Sequence, residues 1–365
     1  MRSSQNQELR QAAAFFTREI SRLINKPIRL MEVCGTHTVA IFKAGIRQLL
    51  PEQVELVSGP GCPVCVTTNS YLDAAIAYSQ DPGVIVATFG DMLRVPGSSS
   101  SLSAEKANGA DIRIVYSPMD SLDIAAANPA KTVIFLAVGF ETTAPTAAAT
   151  VLAAASRRLE NFYMLSAHKL VPPALKALLT DDEIKADGFL LPGHVSAIIG
   201  EAPYNFVVQD YHVPAVIAGF QPLEILQAVY SLAKQISSGT AYLENQYRQV
   251  VRADGNPVAR QVLATVYRPA DAAWRGMGVI AGSGLVLNEE YSRFDAGKHV
   301  PVCVEAAAEA AHCRCGEVLR GRIKPAECLL FGKTCVPENP VGSCMVSVEG
   351  TCAAWYKYGA GRWQL

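Results

Sequence analysis

Several things are missing from this chain of 365 residues, and each absence removes a class of protein. Neither sign of charge is in excess. The 32 Lys+Arg balance 33 Asp+Glu, which leaves no basic footprint for nucleic acid and no acidic tail. No apolar run reaches the roughly 18 residues of a membrane-spanning helix. The first residues, MRSSQNQELR, are polar and lack the apolar stretch of a secretory signal. Internal repeats and low-complexity tracts are absent. So is any phosphate-binding G-x-x-x-x-G-K-[ST], and no G-x-G-x-x-G follows a strand. The glycines of Gly276-Met-Gly278-Val-Ile-Ala-Gly282 have neither that spacing nor that context. An apolar fraction of 50% excludes disorder and supplies core for two or three domains. The expectation is a cytoplasmic globular protein, and not a dehydrogenase.

The cysteines are unevenly spread. Of ten, Cys34, Cys62 and Cys65 come early, none falls between residues 66 and 302, and seven crowd the last 63 residues. In a reducing compartment, clustered thiols read as metal-binding or redox-active rather than as disulfide staples. Two separate chemical sites are expected.

Short apolar runs alternate with helical patterns. Strands are predicted at Ile28–Val33, Val54–Val57, Gly83–Phe89, Ile112–Tyr116, Thr132–Val138, Phe162–Ser166, Gly188–Leu191 and Ala215–Ala218. Helical stretches such as Tyr71–Ser79, Ala144–Arg157 and Pro173–Leu179 lie between them. That alternation predicts an α/β fold of βαβ units with parallel sheet. Eight strands are many for one sheet, so two doubly wound domains are expected, at residues 28–118 and 119–220. Residues 1–27 read as a polar helix, and Pro222–Ser237 and Asn256–Tyr267 as two more. Residues 1–27 and 221–365 are grouped as a third, mainly helical, Cys-rich domain. Its periodicity is too weak for core alone to hold it, and a metal centre would supply the difference.

In open parallel sheets, ligands bind beyond the carboxyl ends of strands. Here those ends collect thiols, imidazoles and a carboxylate: Cys34-Gly-Thr-His37-Thr, Ser58-Gly-Pro-Gly-Cys62-Pro-Val-Cys65, Gly139-Phe-Glu141-Thr-Thr, His168-Lys169 and Pro192-Gly-His194-Val-Ser. Cys62 and Cys65 form a C-x-x-C at a strand-to-helix junction, suited to a disulfide, to one metal ion, or to half of a zinc site. Cys34 with His37 reads as a nucleophile pair, as metal ligands, or as a buried structural cysteine. Glu141 is a candidate base, an orienting partner for His37 or His194, or a cap for the helix opening near Pro145. His194 is a site residue or an ordinary loop histidine. His168, His212, Asp91 and Arg94 are weaker candidates.

The tail carries Cys313-Arg-Cys315, then Cys328, Cys335, Cys344 and Cys352. Four thiolates are what a [4Fe–4S] cluster or a structural zinc ion requires, and the usual ferredoxin spacing is absent. Spacing alone leaves the metal open.

Taken together, these motifs resemble the HypD family of [NiFe]-hydrogenase maturation factors. The likeness runs through Cys34-Gly-Thr-His-Thr, Gly45-Ile-Arg-Gln-Leu-Leu-Pro51, Val57-Ser-Gly-Pro-Gly-Cys-Pro-Val-Cys-Val66 and Phe89-Gly-Asp-Met-Leu-Arg-Val-Pro-Gly97. It continues in Val115-Tyr-Ser-Pro-Met-Asp120, Gly139-Phe-Glu-Thr-Thr143, Pro192-Gly-His-Val-Ser196, Glu244-Asn-Gln-Tyr-Arg248 and Cys352-Ala-Ala-Trp-Tyr356, nearly the whole chain. The resemblance implies two Rossmann-like domains, a cluster-bearing third domain, and an accessory scaffold rather than a turnover enzyme. Such proteins hold iron together with a small HypC-type chaperone while an Fe(CN)2CO moiety is assembled. HypE, served by HypF, donates the cyanide, and the hydrogenase large subunit is reached indirectly. Carried over residue by residue, Cys34 is the iron ligand and His37 its neighbour. Cys62 and Cys65 are the redox pair, and Cys315, Cys328, Cys335 and Cys352 hold a [4Fe–4S] cluster. Cys303, Cys313 and Cys344 are left over, with Cys313 a competitor for the place of Cys315. The competing readings are a stand-alone iron–sulfur thiol–disulfide oxidoreductase and an interaction protein whose tail holds zinc.

Overall fold

A computed structural model describes residues 2–302, 304 and 309–359, so Cys303 lies outside the described residues. Eleven strands form three sheets among those residues: β1 (Ile28–Glu32), β2 (Val54–Ser58), β3 (Val84–Thr88), β4 (Ile112–Ile114), β5 (Thr132–Ala137), β6 (Phe162–Ser166), β7 (Gly188–Pro192), β8 (Ala215–Ala218), β9 (Leu243–Asn245), β10 (Tyr267–Trp274) and β11 (Gly278–Leu287). The first sheet runs β2-β1-β7-β8-β9 and the second β4-β3-β5-β6, with every pairing parallel. β10 and β11 make an antiparallel ribbon. All eight predicted strands are present within a residue or two of their expected bounds.

Burial explains why the central strands read as unbroken apolar runs. Leu30, Leu190, Val216 and Ala218 enter one core, while their neighbours Met31, Phe189, Leu191, Ala215 and Ile217 enter another. In the second sheet Ile85, Ala87, Val133 and Phe135 face one cluster and Val84, Val86, Ile134 and Leu136 the opposite one. A parallel strand covered on both faces has no polar side to alternate with.

The division of strands between sheets differs from the expected boundary at residues 118/119. β3 and β4 belong with β5 and β6, whereas β7, β8 and β9 return to β1 and β2. The chain leaves the first sheet after β2, builds the whole second sheet and comes back. Periodicity marks a strand locally and carries nothing about its spatial neighbour, so sequence order was an unsafe guide to pairing.

The grouping of residues 1–27 with 221–365 in a third, mainly helical domain also needs correcting. The helix Arg2–Leu23 packs on the helix Pro222–Ser238, with Phe16 and Tyr230 rings 5.6 Å apart, and both close the first sheet's core through Ile20, Ile24, Leu226 and Val229. The helix Pro257–Val266 joins the second sheet's core, which Val262, Leu263 and Val266 enter. The β10–β11 ribbon enters both cores, Tyr267, Leu285 and Leu287 the second sheet's and Trp274 and Ile280 the first's, and the short helix Cys315–Leu319 packs on the first sheet through Val318 and Leu319.

Candidate metal centre and thiol cavity

Four carboxyl-end loops of the first sheet converge. β1 delivers Cys34, which stands immediately before the helix Gly35–Lys43 in extended conformation (φ −149°, ψ 121°). β2 delivers Gly61 and Cys62, the latter immediately before the helix Pro63–Val66. The two loops are stacked: the Gly35 N–H donates to the Gly61 carbonyl at 2.9 Å. A Cβ on Gly61 would lie 2.3–2.6 Å from the backbone N, Cα and C of Cys34, so no larger residue fits there without displacing it.

Beneath Cys34 sits Glu32, fully buried, accepting from the Cys34 N–H at 3.2 Å and from the Thr38 hydroxyl. Above it the tail returns, and Glu349 accepts from the Thr36 hydroxyl at 2.7 Å. Gly35 is pressed against Glu349, where a Cβ would come within 2.7 Å of that residue's carbonyl. Burial, with the nearby carboxyls of Glu349 and Glu32 adding to it, pushes the Cys34 thiol up to about 12. The thiol is therefore protonated, and a metal binding there must displace a proton.

His37 and His194 flank one ring. Phe220, just beyond β8, stacks on His37 with centroids 4.6 Å apart and on His194 at 4.0 Å. The His37 Nε2 is 2.9 Å from the Gly219 carbonyl, which fixes the proton on Nε2. Its Nδ1 has no partner among the described residues. Burial lowers His37 to about 4, so the ring is neutral and Nδ1 is free as a lone-pair donor.

Cys62 accepts the Cys65 N–H at 3.3 Å, a helix-capping bond made by sulfur. Cys65 is fully buried, and its thiol faces the tail: Sγ donates to the Ser343 carbonyl at 3.8 Å while the Ser343 hydroxyl donates to the Cys65 carbonyl at 2.9 Å. Burial first, then contact with Cys344 and Cys62, holds the Cys65 thiol well above its ordinary value.

Cys344 is the residue that sequence reasoning set aside. Its thiol is within hydrogen-bonding reach of Cys65, Cys315 and Cys352 alike. It joins the C-x-x-C to a small cavity of about 20 Å³ lined by Cys313, Cys315, Cys328, Cys335, Cys344 and Cys352. The cavity depends on Gly342, where a Cβ would sit 2.7 Å from the Cys313 sulfur and 3.4 Å from the Cys315 Cβ. The Val341 N–H donates to the Cys335 sulfur at 3.4 Å, a bond that favours thiolate. No three His, Cys, Asp or Glu side chains among the described residues converge as a single metal ion requires. A four-iron cluster spreads its thiolates over separate irons, so its ligands line a cavity instead of meeting at a point.

Glu141 lies apart, at the edge of the second sheet. It orients neither imidazole and caps a helix other than the one expected. Its Oε1 accepts from the N–H of Val171, first residue of the helix Val171–Leu179, at 2.9 Å, while Oε2 has no partner among the described residues. Burial raises this carboxyl from 4.5 to about 7. The folded protein therefore binds more protons than the unfolded chain between those values, and stability falls as pH rises through them. Glu141→Gln keeps the acceptor for Val171 and removes the charge. Urea titrations should show it more stable than the parent by roughly 1–3 kcal/mol at pH 8 and nearly equal at pH 4, given about 1.36 kcal/mol per pK unit. Equal pH slopes in the two proteins would contradict this assignment.

His168 is likewise buried, lowered to about 3 and without a partner at Nδ1 among the described residues, and Lys169 donates to the Ala273 carbonyl at 2.8 Å. Asp91 accepts from Ser347 at 3.1 Å and Arg94 reaches the Val346 carbonyl at 3.4 Å, so both tie the second sheet to the tail. Phe220, Glu349 and Ser343 were missed from sequence. Glu349 and Ser343 each had one available signal beside the tail cysteines: Glu349 lies inside the Cys344–Cys352 stretch and Ser343 directly precedes Cys344.

Fold and site together define an α/β protein with two parallel sheets and an antiparallel ribbon, whose strand-end thiols are continuous with a cysteine-lined cavity. Among the described residues no helix is long and apolar enough to cross a membrane. The family model HypD, described as "Hydrogenase formation hypA family", matches residues 10–359. The chain is 49% identical over 340 residues to the hydrogenase maturation factor HypD of Escherichia coli K12, covering 93% of this chain and 91% of that protein. It is 46% identical over 349 residues to the HypD of Rhodobacter capsulatus, covering 94% and 93%. A putative hydrogenase expression/formation protein of Methanocaldococcus jannaschii is 43% identical over 344 residues, covering 93% and 95%. The chain belongs to the HypD family.

Proposed function

We propose that this protein is a hydrogenase maturation factor acting as a scaffold. On this reading Cys34, with a HypC-type chaperone, holds the iron on which Fe(CN)2CO is assembled, and HypE, with HypF, supplies cyanide. The hydrogenase large subunit receives the product indirectly. The observation that carries the reading is the stacking of the Cys34 loop on the Gly61–Cys62 loop, with Cys65 continuing through Cys344 into the thiol cavity.

Six thiols around one cavity, a glycine where a Cβ would fill it, and an N–H aimed at a sulfur fit a [4Fe–4S] cluster. Cys315, Cys328, Cys335 and Cys352 are the proposed ligands, with Cys313 lining the same space. When bound, the cluster supplies electrons one at a time. The chain's own residues do the rest. Cys62 and Cys65 would store two electrons and two protons as two S–H bonds and release both electrons and both protons on forming one S–S bond. Cys344 keeps that pair in contact with the cavity. Glu32 fixes the Cys34 backbone through its N–H, and the His37–Phe220–His194 stack walls the site from water. Low-spin iron carrying cyanide and carbon monoxide takes a soft thiolate ligand, which Cys34 becomes on losing its proton.

Cys62→Ala and Cys65→Ala are each expected to abolish maturation in cells while the cluster spectrum of the purified variants stays that of the parent. Maturation retained in either variant would sink the redox role of the pair.

A further inference from the structure

The turn between β10 and β11 brings a cation beside the thiol cavity, whose own lining cation, Arg314, is paired with Glu317. Arg275 is only 5% exposed. Its backbone N–H donates to the Val66 carbonyl at 2.9 Å and its Nε to the Thr67 carbonyl at 2.8 Å, at the end of the helix that Cys62 opens. The following residue, Gly276, adopts φ +71° and lies so close to Gly316 that a Cβ on it would be 2.1 Å from the Gly316 Cα. Arg275 is thus clamped between Val66-Thr67 on one side and Cys315-Gly316 on the other.

Among the described residues, no acidic group pairs with its charge. None of the ion pairs among the described residues involves Arg275. Its Nη2 is buried and without a hydrogen-bond partner among them. A buried guanidinium with a spare donor is costly unless a counter-charge arrives. Through the Gly276–Gly316 contact, Arg275 stands one residue along the chain from a backbone touching the neighbour of Cys315. The chemistry lacking around Arg275 is negative charge, and the chemistry beside it is a set of thiols that becomes negative on binding metal.

We propose that Arg275 is the fixed counter-charge of the thiolate-rich centre, a positioning residue that sets the reduction potential of the group bound in the Cys313–Cys352 cavity. The inference rests on the iron–sulfur reading above. One electron added to a cluster held by four thiolates raises its negative charge by one, with no proton required. A neighbouring cation stabilises the reduced state more than the oxidised state, and the potential rises.

The test is an EPR-monitored redox titration, with dithionite as reductant, of anaerobically iron-loaded parent, Arg275→Gln and Arg275→Lys proteins. In Arg275→Gln the ratio of reduced to oxidised cluster at a fixed potential should fall at least tenfold, which is 59 mV for a one-electron couple. Arg275→Lys, which keeps the charge and loses the Nε bond to Thr67, should titrate with the parent. An unchanged midpoint in Arg275→Gln, or a shift in Arg275→Lys as large as in Arg275→Gln, would overturn the assignment. Should Arg275→Gln not fold, Arg275→Lys decides alone: a parent-like midpoint supports the counter-charge, and a tenfold shift or loss of the cluster refutes it. A parent protein that takes up no cluster is a different failure, because it overturns the iron–sulfur reading itself.

Discussion

Cys34→Ala should eliminate hydrogenase maturation completely and remove the mononuclear iron, while leaving the cluster content and thermal stability close to the parent. The separation follows from the geometry. Cys34 contributes its backbone N–H to Glu32 and its carbonyl to the helix Gly35–Lys43, and both survive truncation of the side chain. Only the sulfur is lost. It lies at the carboxyl edge of the first sheet, outside the six-cysteine cavity. Deleting one buried sulfur costs stability on the order of 1 kcal/mol, too little to unfold a domain with this much core. Cells carrying Cys34→Ala should therefore accumulate normal amounts of folded protein and no active hydrogenase. Loss of the cluster together with the mononuclear iron would show that the two sites are not separable as described.

Gly61→Ala should do nearly as much harm with a single methyl group. The added Cβ meets backbone atoms of Cys34 and not the end of a flexible side chain, so the two loops must part. Overpacking of this kind costs about 1–3 kcal/mol. The functional loss should far exceed that, because the displaced atoms belong to Cys34, the iron ligand proposed above. Alkylation of Cys34 by iodoacetamide should accelerate at least tenfold as the covering loop lifts, and maturation should fail. Gly90→Ala is the matched control: its Cβ would find only an ordinary contact, Ile114 Cγ2 at 3.9 Å. Equal Cys34 reactivity in Gly61→Ala and the parent would mean that the loop does not cover the thiol.

Much of this architecture was written locally. The central strands announce themselves because burial on both faces demands continuous apolar runs such as Val84-Ile-Val-Ala and Ala215-Val-Ile-Ala, while the edge strands β2, β4 and β6 show through shorter apolar stretches. β9, β10 and β11 did not. β9 has three residues, β10 contains Pro269 and a run of alanines, and β11 carries Gly282 and Gly284, all weak local signals for a strand. The order of strands was illegible for a different reason: alternation fixes a strand's faces and says nothing of its partner.

The site divides the same way. Cys34, His37, Cys62, Cys65 and His194 stood out as thiols and imidazoles gathered at strand ends, although Cys62 and Cys65 also pack into the first sheet's core. Phe220, Glu349 and Arg275 stand in stretches with no local pattern that marks a site residue. Each acquires its place only when distant segments meet: Glu349 at Thr36, Arg275 at Thr67, Phe220 between His37 and His194. Cys344 was visible as a cysteine and unreadable as a link, since nothing in its neighbourhood of sequence points to Cys65. Glu141 was misjudged in its partner because a carboxylate shortly before a helix suggests a cap for that helix, and here it caps the helix Val171–Leu179 instead.

The central claim is that one chain holds two kinds of iron, cluster iron in the tail and cargo iron at Cys34. Mössbauer spectroscopy of ⁵⁷Fe-enriched protein, purified without oxygen together with its co-purifying partners, resolves both in one spectrum. The account predicts a [4Fe–4S] doublet alongside a separate low-spin mononuclear component that disappears in Cys34→Ala. A spectrum with cluster iron alone, from cells that contain the partner proteins, would contradict the scaffold and leave a thiol–disulfide oxidoreductase in its place.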